Sequence, residues 1–164
     1  MELIEIILFA AALLCSLVAG FLIAFEIVLM PGIAKLSDLA YLHAFKVIDG
    51  VIQNNQPVFI LIWLGSALAA IAAAVASVWH LTGFNRLLVI AACVIYLLGV
   101  QLPTVVINVP LNNQLQAQDL EKFSDSELKK ARKDFEGPWL RWNSIRTLIS
   151  TLTSVLLIVA CVSI

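Results

Sequence analysis

Charge is scarce in this sequence. Asp, Glu, Lys and Arg make up 13% of its 164 residues, against 62% hydrophobic residues. A water-soluble domain of this size could not bury so much apolar surface, so lipid is the expected solvent for much of it. Histidine is scarcer still: His43 and His80 fall on opposite sides of the chain's apolar organisation, too far apart to share a metal. The three cysteines, Cys15, Cys93 and Cys161, each sit inside an apolar run without CxxC or metal-ligand spacing. They read as small buried hydrophobes, with no disulfide or metal role. Phosphate-binding glycine loops, nucleophile elbows and HExxH motifs are absent. A net charge of −1 gives no hint of a nucleic-acid partner.

Long apolar runs are plentiful. A membrane-crossing helix needs about 20 mostly apolar residues, and four segments qualify: roughly 3–30, 58–79, 87–108 and 145–164. The first begins with Glu2 and Glu5 and not a basic region, so it reads as a retained helix and not a cleaved leader. Met30-Pro31-Gly32 is expected to close it, and Asn54-Asn55-Gln56-Pro57 to open the second. Thr82-Gly83-Phe84-Asn85 makes a short turn, so spans two and three should be antiparallel neighbours. Span two carries Gly65, Ser66, Ala69, Ala70, Ala72, Ala73 and Ala76, which permits close helix packing. The expected fold class is all-α: one four-helix membrane bundle over 1–164.

Basic residues set the expected orientation. Lys35 and Lys46 lie between spans one and two; Lys122, Lys129, Lys130, Arg132, Lys133, Arg141 and Arg146 lie between spans three and four or just inside span four. Only Arg86 falls on the other side, so both long connections should face the cytoplasm and both termini away from it. Residues 37–53 open on a Ser37/Asp38 cap and carry Tyr41, Phe45, Ile48 and Ile52 at helical spacing. This predicts an amphipathic helix at the interface or over the bundle mouth. Residues 119–136 form a mixed-charge helical run with a Ser124/Glu127 capping box, expected as a separate solvated helix.

Polar residues inside spans call for partners. A charged group at a helix centre carries an insertion penalty of roughly 2.5–3.5 kcal/mol on translocon scales, falling toward the interface. Glu26 lies one turn before the end of span one, and an ion pair with Arg146 is the natural way to neutralise both. Pro103 should kink span three; beyond it Thr104, Asn108, Asn112 and Gln116 form one i, i+4 stripe that Pro110 threatens to interrupt. Trp139, Trp142, Asn143 and Arg146 share a helical face, extended inward by Ser150 and Thr153 or Ser154. All these groups map to the cytoplasmic ends of their helices. They form either a structural polar clasp or a site walled by tryptophans.

Three segments, GFLIAFEIVLMPGIAKL, NVPLNNQLQA and WLRWNSIRT, together resemble the anthrone-oxygenase-like family of small membrane proteins. The resemblance runs from about Gly20 to the C-terminus, and NVPLN with a downstream W-x-x-W-N-x-x-R is its most specific part. It implies a four-span domain and, for some fungal members, oxidation of an anthrone to an anthraquinone by molecular oxygen. Asn112, Trp139, Trp142, Asn143 and Arg146 match the family signature, and Met30 and Pro31 its N-terminal element. Glu26 departs from an expected small or neutral polar residue, and Asp49 from a more usual asparagine.

Two functions compete at this point. In a cofactor-independent oxygenase, Arg146, Asn112 and Asn143 would stabilise a developing enolate and Glu26 would act as general base. Trp139, Trp142, Asn108 and Met30 would hold a small hydrophobic aromatic ligand entering from the bilayer. In a non-catalytic lipid or ligand binder, or an assembly partner, the same groups would hold the bundle mouth together. No metal or cofactor is expected in either case, and a homo-oligomer is open in both.

Overall fold

The computed structural model describes residues 2–164 and contains no strand among them. In chain order the helices are α1 (Leu3–Ile33), α2 (Asp38–Gln53), α3 (Pro57–His80), α4 (Gly83–Gln116) and α5 (Asp125–Ser163). All except α2 are long and apolar enough to cross a membrane, which makes the chain a multi-pass membrane protein. α1 and α4 each pack against both α3 and α5, so the four form an antiparallel up-down-up-down bundle. At one end Asn85 Nδ2 donates to the Ser163 carbonyl at 3.2 Å, setting the α3–α4 turn beside the end of α5. The other end, the mouth, carries α2 and the long connections.

Small side chains make the bundle close-packed away from the mouth. The buried residues of α3 are Ser66, Ala70, Ala73 and Ser77, one stripe at helical spacing. They meet Leu8, Ala11, Cys15 and Val18 of α1 together with Val89, Ala92 and Cys93 of α4. Larger residues such as Leu61, Leu64, Leu68 and Leu148 face outward, as lipid requires. Gly99 marks the tightest approach among the glycines: a Cβ there would lie 2.5 Å from Ile149 Cδ1, so any larger residue would force the Ile149 side chain to move.

Pro31 and Pro110 do not close or interrupt their helices as expected. Met30-Pro31-Gly32 does not end α1, which continues to Ile33; Pro103 and Pro110 do not break α4, which runs on to Gln116. Each is preceded by a wide π turn that stops two residues short of it: Phe25–Leu29 before Pro31, Leu97–Gln101 before Pro103, and Thr104–Asn108 before Pro110. In a regular α-helix the proline ring clashes with the carbonyl four residues earlier. The π turn bonds i to i+5 and moves that carbonyl aside. The spans are accordingly longer at the mouth than 3–30 and 87–108.

Residues 119–136 do not form a helix of their own either. After a short 3-10 turn (Leu120–Lys122), α5 starts at the Ser124/Glu127 capping box and runs unbroken through Pro138 into the membrane. Asp134, whose carbonyl loses its donor to Pro138, is exposed and open to water, so the helix continues. At 39 residues α5 is about 58 Å long, roughly twice a bilayer's hydrocarbon core, so its first half projects beyond the mouth.

α2 is the expected amphipathic helix, capped by Ser37 Oγ accepting from Ala40 N at 3.4 Å. It buries Tyr41, Leu42, Phe45 and Asp49 against α4 and α5. Arg132 clasps it in place. Its guanidinium donates to Asp38 Oδ1 (3.0 Å), to the Ala34 (2.9 Å) and Leu36 (3.0 Å) carbonyls and to Glu136 Oε2 (2.8 Å). It also lies 4.3 Å from the Tyr41 ring centroid. One residue thereby satisfies carbonyls beyond the end of α1 and fixes the start of α2.

Candidate functional site

Under α2 the bundle opens into a cavity of about 250 Å³. Its apolar wall is aromatic: Phe21 and Phe25 of α1, Phe45 of α2, Phe59 and Trp63 of α3, and Trp139 of α5. The rings brace one another. Phe59 stacks on Trp63 with centroids 5.3 Å apart, Phe21 meets Phe59 at 5.2 Å, and Phe45 stands edge-on to Trp139 at 5.2 Å. Val105 and Val109 of α4 complete the lining and are well exposed on the lipid-facing surface. Gln101 Nε2 ties α4 to α3 by donating to Ser66 Oγ (3.1 Å), deeper in the bundle than these aromatic rings.

Arg146 is the cation of the cavity. It is 4% exposed, and its guanidinium donates to Thr104 Oγ1 (2.9 Å), Asn143 Oδ1 (3.3 Å) and the Trp142 carbonyl (3.4 Å). Thr104 Oγ1 donates onward to the Val100 carbonyl at 2.7 Å, which turns its lone pairs toward Arg146. The guanidinium also lies 5.9 Å from the Trp139 ring centroid.

The expected Glu26–Arg146 ion pair is not formed. Asn143, fully buried, stands between them: its Nδ2 donates to Glu26 Oε2 at 2.7 Å while its Oδ1 accepts from Arg146. Ser144 Oγ takes the other carboxylate oxygen, donating to Glu26 Oε1 at 2.6 Å. The cause is register. Arg146 lies three residues beyond Asn143 and two beyond Ser144 on α5, and those two reach the carboxylate first. Glu26 does not line the cavity; it orients the Asn143 amide from behind.

The predicted stripe Thr104, Asn108, Asn112 and Gln116 is realised despite Pro110, and every member has a partner. Asn108 Nδ2 donates to the Trp139 carbonyl at 3.4 Å. Asn112 is the hinge of a chain of bonds: its Oδ1 accepts from Trp139 Nε1 at 2.9 Å and its Nδ2 donates to Asp49 Oδ1 at 2.7 Å. Gln116 Nε2 and Gln53 Nε2 both donate to Asp49 Oδ2, at 2.9 and 2.7 Å. Asp49 is 3% exposed and lines the cavity.

Of the residues singled out from sequence, Arg146, Asn112, Asn143, Trp139 and Asn108 line this cavity. Trp142 and Met30 do not. Met30 packs in the aromatic core with Phe25 and Trp139, and Trp142 is half-buried beside Arg146 on α5, outside the cavity lining. Sequence reasoning missed Asp49, Phe21, Phe59 and Trp63 as site residues. Asp49 carried a readable signal, because it follows Tyr41 and Phe45 at i+8 and i+4 and therefore sits on the apolar face of α2. His43 is outside the cavity, its Nε2 2.9 Å from Glu121 Oε1. Among the described residues no group of three or more His, Cys, Asp or Glu is placed to hold a metal ion.

Fold and cavity together define a four-span helical membrane protein with a polar-ended aromatic pocket beneath one face. Residues 51–156 match the family model described as anthrone oxygenase, which covers more than half of the sequence, and the chain belongs to that family. The match takes in the polar face of α4 and the Trp139–Arg146 segment, and leaves α1 and Asp49 outside it. No curated protein and no solved structure matches the chain.

Proposed function

We propose that this protein is an oxygenase that binds a small, flat, aromatic or quinol-like compound in the mouth cavity and oxidises it with molecular oxygen directly. The observation that carries this reading is a buried guanidinium with no carboxylate in ion-pair reach, facing a pocket of aromatic rings. An unpaired buried cation favours an anionic guest, and the rings favour a flat one.

An anthrone fits both demands. Loss of one methylene proton gives an enolate whose oxygen Arg146 stabilises, with Asn143 held in place by Glu26 and Ser144. The enolate carbon then forms a C–O bond to dioxygen, and a proton completes the hydroperoxide. The remaining C–H proton leaves, its electron pair forms the C=O bond, the O–O bond breaks and hydroxide departs as water. Anthrone and dioxygen become anthraquinone and water, with the substrate supplying all the electrons, so the reaction calls for no further reductant. Family membership supports this reading. The lipid-exposed Val105 and Val109 beside the pocket suit a guest that partitions into the bilayer. On the distribution of basic residues, the mouth faces the cytoplasm.

Labelled oxygen tests the reaction. Purified protein given anthrone under ¹⁸O₂ should form anthraquinone carrying one ¹⁸O atom, faster than buffer or Arg146→Leu protein does. Formation at the spontaneous rate would leave the pocket as a binding site without catalysis.

A further inference from the structure

We propose that Asp49 is the general base of the mouth cavity, a role that rests on the oxygenase reading above. The acid with the better sequence credentials, Glu26, is behind the wall, with Asn143 and Ser144 donating to its two oxygens. Asp49 is the carboxylate that lines the cavity, on the same pocket as Arg146. A carboxylate offers about four acceptor positions. Three are taken by side-chain amides: Asn112 on Oδ1, Gln53 and Gln116 on Oδ2. One position on Oδ1 is left for a guest.

The electrostatic setting is unusual for a merely structural acid. Among the described residues no lysine, arginine or histidine pairs with Asp49. Lys46, one turn earlier on α2, donates instead to the Gln118 carbonyl at 2.6 Å. The charge is met by amide dipoles alone, and the facing cation, Arg146, lies across the pocket on α5. An anion at one wall and a cation at another match a carbonyl compound with an acidic C–H: the oxygen goes to Arg146 and the C–H to Asp49. In the step itself the C–H bond breaks and an O–H bond forms on Asp49. The electron pair moves through the ring onto the carbonyl oxygen. Nothing is oxidised until dioxygen enters. The same bonds give Asp49 a positioning effect, since Asn112 carries its hold on to the Trp139 indole.

The test separates proton removal from oxidation by leaving oxygen out. Unsubstituted anthrone is incubated anaerobically in deuterated buffer with the detergent-solubilised full chain, and deuterium entering its methylene group is followed. Wild type should accelerate exchange above buffer, and Asp49→Asn should lose at least a hundredfold of that acceleration while still quenching its tryptophan fluorescence on binding anthraquinone. Raising the pH until anthrone ionises by itself should then restore oxygen uptake by Asp49→Asn, but not by Arg146→Leu. Exchange by Asp49→Asn equal to wild type, or a deficit that high pH leaves unchanged, overturns the assignment and makes Asp49 an anchor of α2 only. If Asp49→Asn does not fold, Asp49→Glu carries the test: it keeps the charge but displaces the oxygen, and exchange at the wild-type rate overturns the proposal. Wild type that accelerates neither exchange nor oxygen uptake removes the oxygenase reading and the base with it.

Discussion

The two ends of this bundle are built from different materials. Toward the α3–α4 turn the core is mostly alanine, serine, cysteine, valine and leucine, with Tyr96 as its one fully buried aromatic ring, and the helices approach closely. Toward the mouth it is phenylalanine, tryptophan, tyrosine and leucine, interleaved with buried amides, one guanidinium and one carboxylate. Polar groups occur in both halves and are satisfied differently. In the first half they turn to nearby backbone or to each other: Ser77 Oγ donates to the Ala74 carbonyl (2.7 Å), and Ser66 Oγ and Tyr96 OH share a 2.7 Å bond. In the mouth they link α1, α2, α4 and α5 across the pocket. All three π turns lie in the mouth half or at its border, each next to a proline. One half holds helices together, and the other holds side chains apart so that a space remains between them.

This division can be broken from either side. The largest effect is expected at Arg146: replacement by leucine should lower turnover by a factor of about 10²–10³, in the range for loss of an oxyanion-stabilising donor. Thermal unfolding in detergent should move little, since the side chain removed is an unpaired buried charge. Next comes Gly99→Val, which places a side chain against Ile149. It should destabilise the bundle by about 1–3 kcal/mol, as overpacking does. Ile149→Ala in the same chain should recover part of that loss, and turnover per folded molecule should be kept. Smallest is the clasp behind the wall. A double-mutant cycle between Glu26 and Asn143 should give a coupling of roughly 1 kcal/mol, larger than the cycle between Glu26 and Arg146, because Asn143 makes the contact. Equal coupling in both cycles would point to a direct ion pair in the membrane that the geometry does not contain.

Much of the architecture was legible in the apolar runs, because lipid imposes a length and a composition that few other settings demand. The amphipathic α2 and both its ends were readable for the same reason, its face and its cap being local features. Helix boundaries at prolines were not. A proline announces a lost hydrogen bond, but whether the chain stops, kinks or widens into a π turn depends on what surrounds it. Pro31 and Pro110 were therefore read as breaks where the helices continue. In the site, residue types were read better than pairings. Arg146, Asn112, Asn143 and Trp139 were identified because polar groups within apolar runs are conspicuous. The Glu26–Arg146 pair failed because opposite charges suggest each other and an intervening asparagine does not. Asp49 was noted only as a departure from the family pattern, because an acid on a connecting helix has no evident partner until that helix folds over the mouth. Phe59 and Trp63 carry no signal beyond their spacing on an apolar helix.

The central claim is that the buried, unpaired Arg146 makes the mouth cavity a site of oxidation and not only of binding. Initial rates of oxygen consumption by the purified protein with anthrone, wild type beside Arg146→Leu at equal folded concentration, test it most directly. The account predicts uptake well above the spontaneous rate for wild type and a rate near that of buffer for the variant. Equal rates in the two proteins would contradict it.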